Sequence, residues 1–246
     1  RGEQRLWMEH DARYQYSYIK CIPQLINLFI VIIPIMTQGI RKMKIGTTIS
    51  FGNYQWKVLE LKEDKMLIIT DQIIEQRDYH HKKEPVTWEQ SEIRHYLNNR
   101  FLERFSSSDQ DKILTTQNKN PGNPWYGSTG GADTLDRVFL LSMEECVRLY
   151  FGDSSRLLDH PKPNQRYWFD RKDENNAMRK ALFMDSIWWW WTRTPGKNNK
   201  VAVYIHGDGN IGIQGNGISK TTFNTLHHIT NSNEGGVRPA IWIKTQ

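Results

Sequence analysis

Between residues 48 and 70 apolar and polar side chains alternate at the period of a β-strand. Tyr54, Trp56 and Val58 fall on one side, and Gln55 and Lys57 on the other. Gly52-Asn53 and Lys62-Glu63-Asp64 supply turns, so three short strands are predicted here. The third, Met66–Ile69, is apolar throughout and reads as a central strand. After Thr87 the period lengthens. Ile93, Tyr96, Leu97, Phe101 and Phe105 form one helical stripe, with Thr87 and Gln90 spaced as a capping box. Ser106–Ser108 ends this helix and is placed to cap a short second one. A long turn-rich loop over 115–137 follows, with Trp125 and Tyr126 as its pins. Val138–Leu141 is predicted as a buried strand, followed by a helix with a Ser142/Glu145 capping box and Gly152 at its C-terminal end.

Residues 153–187 read as irregular and polar. Beyond them "WWWWTRT", "KVAVYIHG", "GNIGIQGNGIS" and "VRPAIWIK" are separated by glycine-rich turns, which predicts an antiparallel meander. In the Trp run, strand alternation sends Trp188 and Trp190 to one face and Trp189 and Trp191 to the other. Four indoles therefore cannot serve one ligand. A strand apolar on both faces is a strand covered twice, so the run is read mainly as scaffold.

Composition changes this picture little. A chain of 246 residues, 38% hydrophobic, holds one large domain or two small ones. Ten Trp mean that aromatics fill much of the core or line a surface. The formal charge of +6 resides in the two ends, and the middle is near neutral, so nucleic-acid binding is not predicted. Two cysteines, Cys21 and Cys146, make neither a disulfide framework nor a zinc site. Cys146 reads as a small core residue. Internal repeats and low-complexity tracts are absent from the sequence.

The first 43 residues stand apart from the domain predicted over 44–246. Residues 22–36, "IPQLINLFIVIIPIM", are strongly apolar but short of the roughly 20 that a spanning helix needs. Three readings stay open: an upstream stretch read in frame with the native start at Met43, a membrane anchor, and a cleaved signal. Membrane association is expected only through 22–36. Localisation follows the same choice, cytoplasmic for a start at Met43 and anchored or secreted otherwise.

Candidate chemistry is thin. The glycines of the 115–137 loop match neither G-x-G-x-x-G nor G-x-x-x-x-G-K-[ST], and no G-x-S-x-G elbow is present. "RDYHHKK" and "TLHHIT" each hold adjacent histidines, which in a strand point to opposite faces and chelate poorly. No catalytic residue, metal or cofactor is expected.

The order of the pieces resembles a bacterial family described as domain of unknown function 6273. The stretches that carry the resemblance are "ISFGNYQWKVLE", "TWEQSEIRHYLNNRFLERF", "NPGNPWYGSTGGADTLDRVFLLSMEE", "FGDS", "WWTRTPG" and "GGVRPAIWI", spread over residues 44–244. The resemblance implies an α+β domain of the C-type-lectin-like fold, in the branch shared with formylglycine-generating enzymes: a twisted antiparallel sheet, two main helices and long irregular loops. Oxidases of that branch use a close pair of cysteines, which this chain lacks. Calcium-dependent sugar binding wants an acceptor side chain where "KPN" at 162–164 has Lys162.

The same branch includes variable proteins of diversity-generating retroelements, whose rewritten part corresponds to about 190–242 here. Rewriting at template adenines yields Asn, Asp, His, Tyr, Ser, Thr and Ile. Tyr204, His206, Asp208 and Asn210 have that composition at period two, with Val203 and Ile205 opposite. The longer "KTTFNTLHHITNSNE" departs from the family's short turn and loosens any position-by-position mapping.

The expectation is therefore a non-enzymatic module for an unidentified protein or glycan ligand. Its binding residues would be Trp191, Tyr204, His206, Asp208, Asn210, Gln214, Asn216, Ser219, Thr222, Asn224 and His227. Its scaffold would be Trp56, Trp88, Trp125, Trp189, Arg193, Arg238 and Trp242. The alternatives are an enzyme working in a cleft between sheet and loops, and a structural part of a phage or surface assembly.

Overall fold

The computed structural model describes residues 43–154, 156–162, 173–219 and 234–245. The chain divides into two units, Arg1–Met43 and Lys44–Gln246. Cys21, the apolar run 22–36, Asn164, Thr222, Asn224, His227 and His228 lie outside the described residues.

The second unit is α+β and mostly antiparallel. One sheet consists of β1 (Thr48–Phe51), β2 (Tyr54–Leu61), β3 (Lys65–Thr70), β5 (Ile113–Leu114) and β14 (Ala240–Lys244), ordered β1-β2-β3-β14-β5. The apolar strand β3 is central, as its lack of alternation requires. The other sheet runs β12 (Ile211–Gly217), β11 (Val201–Ile205), β10 (Trp190–Pro195), β13 (Gly235–Val237), β4 (Glu75–Arg77). The meander holds for β10–β12, but β13 pairs with β10 in parallel, Trp190 opposite Gly236. Two small hairpins complete the strands: β6 (Thr116–Asn118) with β7 (Thr134–Asp136), and β8 (Ala181–Phe183) with β9 (Ser186–Trp188).

"VRPAIWIK" is two strands rather than one. Pro239 cannot donate to a ladder, and the chain passes there from one sheet to the other. The β3–β4 connection makes the same crossing beside it: Thr70 N donates to Pro239 O at 3.0 Å, and Ile74 N to Val237 O at 3.0 Å. Arg238, fully buried, clamps the crossing by donating to Thr70 O (2.9 Å) and Asp71 O (3.1 Å). Its partners are carbonyls, and its guanidinium carbon lies over the Trp190 ring, 5.1 Å from the centroid.

All five residues of the predicted helical stripe are buried. They lie on a helix that begins at Glu92–Tyr96, widens over Leu97–Phe101, tightens over Leu102–Arg104 and ends at Phe105. Its cap differs from the expectation. Thr87 makes no capping bond; Ser91 accepts from Arg94 N at 3.3 Å instead, because a short 3-10 turn, Trp88–Gln90, intervenes. Ser106 does cap Ser107–Gln110, accepting from Asp109 N. The Ser142/Glu145 box is reciprocal: Ser142 N donates to Glu145 Oε2 at 2.7 Å, and Glu145 N to Ser142 Oγ at 3.1 Å. It opens the second main helical segment, which includes Glu145–Tyr150 and is followed by Gly152 in the left-handed region.

Val138–Leu141 is buried but is not a strand; only Phe139 bridges, to Ala240. Side chains take two of the carbonyls that a second ladder would have used, while Phe139 O and Leu141 O accept from Ala240 N and Arg193 N. Asn98 donates to Val138 O, and Arg193 to Leu140 O. Of the expected scaffold, Trp56, Trp88, Trp125, Arg193, Arg238 and Trp242 are buried and Trp189 is half-buried. Among the described residues no helix is long and apolar enough to cross a membrane.

Candidate functional site

The Trp run ends the hairpin β8–β9 and begins the core strand β10. Trp190 and Trp191 are fully buried, and their indole N–H groups donate to Arg179 O and Arg77 O, both at 2.9 Å. Trp189 and Trp191 share a side, as alternation requires, and Trp189 also meets Tyr204, with ring centroids 5.2 Å apart. Two glycines make room for these rings. A Cβ on Gly235 would stand 2.4 Å from atoms of Trp189 and Trp191, and one on Gly212 would stand 2.3 Å from the Tyr204 ring.

Trp188 and Trp189 are only partly covered, and a cleft of about 440 Å³ opens over them. Lys180, Ile187, Trp188, Trp189, His206, Gly207 and Asp208 line it. One wall is the hairpin β8–β9. Its two-residue turn, Met184-Asp185, has φ of 47° and 62°, the left-handed pair that a tight hairpin demands but that non-glycine residues adopt at a cost. The turn leaves Met184 83% exposed and Ile187 56% exposed beside the cleft.

The opposite wall is the 206–210 turn between β11 and β12. His206 N donates to Asn210 O at 2.7 Å, and Gly209 N to His206 O at 2.8 Å. Asp208 accepts from Asn210 N and from the Asn210 amide, both at 2.9 Å, and pairs with His206 Nδ1 at 3.0 Å. Partial burial works to raise the Asp208 carboxyl, but the bonds from Asn210 and His206 outweigh it and hold it below its ordinary value. Gly209 is obligatory: at φ of 90°, a Cβ would lie 1.9 Å from Asn176 O. Buried Arg179 ties the turn to the core. It donates to Gly209 O at 2.9 Å and bonds Gly152 O and the buried Asp173 carboxylate.

The expected binding residues are thus divided. His206 and Asp208 face the cleft. Trp191, Tyr204, Asn210 and Ser219 are buried instead of lying on a binding face. Period two gives an exposed side only if one face of the strand is open. Here Val203, Tyr204 and Ile205 are all covered. Asn210 is spent on Asp208 and on Asn176 Nδ2, which donates to it at 2.8 Å. Gln214 and Asn216 are half-buried on β12, and Asn216 accepts from Gly217 N. Lys180, Ile187 and Trp188 belong to the cleft but were not legible, because the turn of β8–β9 carries no glycine to announce it.

A second groove, of about 320 Å³, runs past Thr116, Phe139, Glu145, Tyr150, Arg193 and Trp242. Its central cation is fully committed. Arg193 donates to both oxygens of Glu145 (2.5 and 2.7 Å), to Leu140 O, Lys119 O and Asn120 Oδ1. Cys146 is fully buried, and burial, aided by the neighbouring Glu145, pushes its thiol up to about 12.

Among the described residues one His/Glu group converges. His80, His81 and Glu92 each offer a ligand atom, all within 4.8 Å of one another. The adjacent histidines do not point apart, because residues 78–81 are not a strand; their rings lie 5.3 Å apart at 46°. No curated protein and no solved structure matches the chain. Residues 63–245 match the model of the family described as Domain of unknown function (DUF6273), and the chain belongs to that family.

Proposed function

We propose that the chain is a non-enzymatic binding module for a protein or glycan ligand, and that the cleft between hairpin β8–β9 and the 206–210 turn is its site. The observation that carries this is the composition of the cleft. Two half-covered indoles and Ile187 offer apolar contact, and Lys180, His206 and Asp208 rim them with charge and hydrogen-bonding groups. Aromatic rings present large area at small entropic cost, and a fixed turn costs little to order. The Asp208–Asn210 bonds and the Arg179 anchor supply that fixity.

The finer reading is a C-type-lectin-like scaffold of the retroelement-diversified kind, which rests on the resemblance of the sequence. His206 and Asp208 suit it, being residue types that adenine rewriting yields, on a turn whose backbone is held by its own bonds. A near-copy of the end of the gene, differing only at template adenines beside a reverse transcriptase, supports this reading. A complete locus without one removes the retroelement and leaves the binding module.

The binding reading is tested by probing glycan arrays and displayed-peptide libraries with the full chain. Hits retained by the parent and lost by His206→Ala support it. Hits indifferent to His206→Ala and to Ile187→Ser place the ligand elsewhere and contradict it.

A further inference from the structure

We propose that His80, His81 and Glu92 form a binding site for a divalent transition-metal ion of the zinc type. Two imidazoles and one carboxylate are a common protein contribution to such a site, with a fourth position left for another ligand. Here three ligand atoms already lie within 4.8 Å of one another. None of these three residues lines the cleft beside β8–β9.

Local structure fixes the backbone that bears the three side chains. His80 N donates to Ile218 O at 2.9 Å, just beyond the end of β12. Ile93 N donates to Tyr79 O at 3.2 Å, and His81 N to Glu92 Oε2 at 2.8 Å, so the loop is fastened to the start of the helix. Tyr79 itself is buried between Trp88 and Trp191. The histidines are therefore borne on a rigid base, as a preformed site requires.

Ion pairing alone accounts for part of this cluster. His81 Nδ1 pairs with Glu92 Oε1, and His80 Nε2 with Glu84 Oε1 at 3.4 Å. It does not account for His80 Nδ1, which is buried with no hydrogen-bond partner. His80 is only 8% exposed, and a buried imidazole nitrogen left bare is costly. In the tautomer whose Nε2–H donates to Glu84, Nδ1 keeps an unfilled lone pair. A carboxylate on one imidazole nitrogen and a cation on the other is the usual arrangement around metal-bound histidine. Glu84 and Glu92 together also match the charge of a divalent ion.

The test uses the full chain, stripped with chelator and dialysed against Zn²⁺, with Co²⁺ as the spectroscopic probe. The expected result is one ion per chain and visible Co²⁺ absorption of a low-coordinate site. His81→Ala and Glu92→Gln each weaken binding at least as much as the roughly 10- to 100-fold typical of losing an outer-shell partner. His81 is exposed and Glu92 partly so, and the amide oxygen introduced by Glu92→Gln still accepts from His81 N, so the metal-free variants are expected to melt with the parent. No binding by the parent, or equal affinity in the parent and both folded variants, overturns the proposal.

Discussion

Trp189 and Trp191 stand edge to face, with ring centroids 4.7 Å apart at 81°, directly over Gly235. The absence of a side chain at 235 lets β13 pass beneath two indoles and pair with Trp190. Gly235→Ala is therefore expected to destabilise the domain by about 1–3 kcal/mol, the usual cost of overpacking. Urea denaturation followed by Trp fluorescence measures this. A neutral Gly235→Ala would show that the rings are free to move aside.

The same pair separates scaffold from site. Trp191 is fully buried, so Trp191→Ala is expected to cost about 3–5 kcal/mol. Trp189 is half-buried and lines the cleft, so Trp189→Ala is expected to cost less stability than that and to weaken ligand binding as well. Equal losses of stability for the two would place Trp189 wholly in the core.

The Asp173–Arg179 pair should govern behaviour in acid. Burial would raise the Asp173 carboxyl, but bonds from Arg179 and from the N–H groups of Asn175 and Ser154 outweigh it and hold it well below the usual carboxylate range. A depressed folded value stabilises above the unfolded one, near 3.9, and that stability drains away as pH falls through the folded value. Asp173→Asn strands a buried guanidinium and is expected to cost about 3–5 kcal/mol at neutral pH. The gap between parent and variant should shrink as pH drops below about 4. A gap that is constant from pH 7 to pH 2 would contradict this.

Cys146 should be silent to thiol reagents. In a Cys21→Ser variant, labelling by a disulfide reagent at pH 8 is expected only on unfolding, because the remaining thiol is buried and pushed up to about 12. Rapid labelling of the folded variant would refute it.

What could be read in advance depended on how local the cause was. The stripe Ile93 to Phe105, the central strand Met66–Ile69 and the Ser142/Glu145 box are set by neighbours in sequence, and each appears in the structure. The strand expected at Val138–Leu141 failed because the side chains of Asn98 and Arg193, some forty and fifty residues away, take the Val138 and Leu140 carbonyls. The proposed cleft was half legible for the same reason. His206 and Asp208, singled out at period two by the residue types that the family resemblance implies, do line the cleft. That β11 is covered on both faces, burying Tyr204, depends on packing from Trp189 and Gly212 that no local pattern encodes. Arg179, which joins the turn to Gly152 and Asp173, lay in a stretch that read as irregular.

The most direct measurement of the central claim is the affinity of the best array or library hit for the parent, His206→Ala and Ile187→Ser, with melting temperatures taken alongside. Both side chains are solvent-accessible walls of the cleft. The expected result is a loss of about tenfold or more in each variant, roughly 1.4 kcal/mol, at unchanged melting temperature. Unchanged affinity in both variants would contradict the claim that this cleft is the binding site.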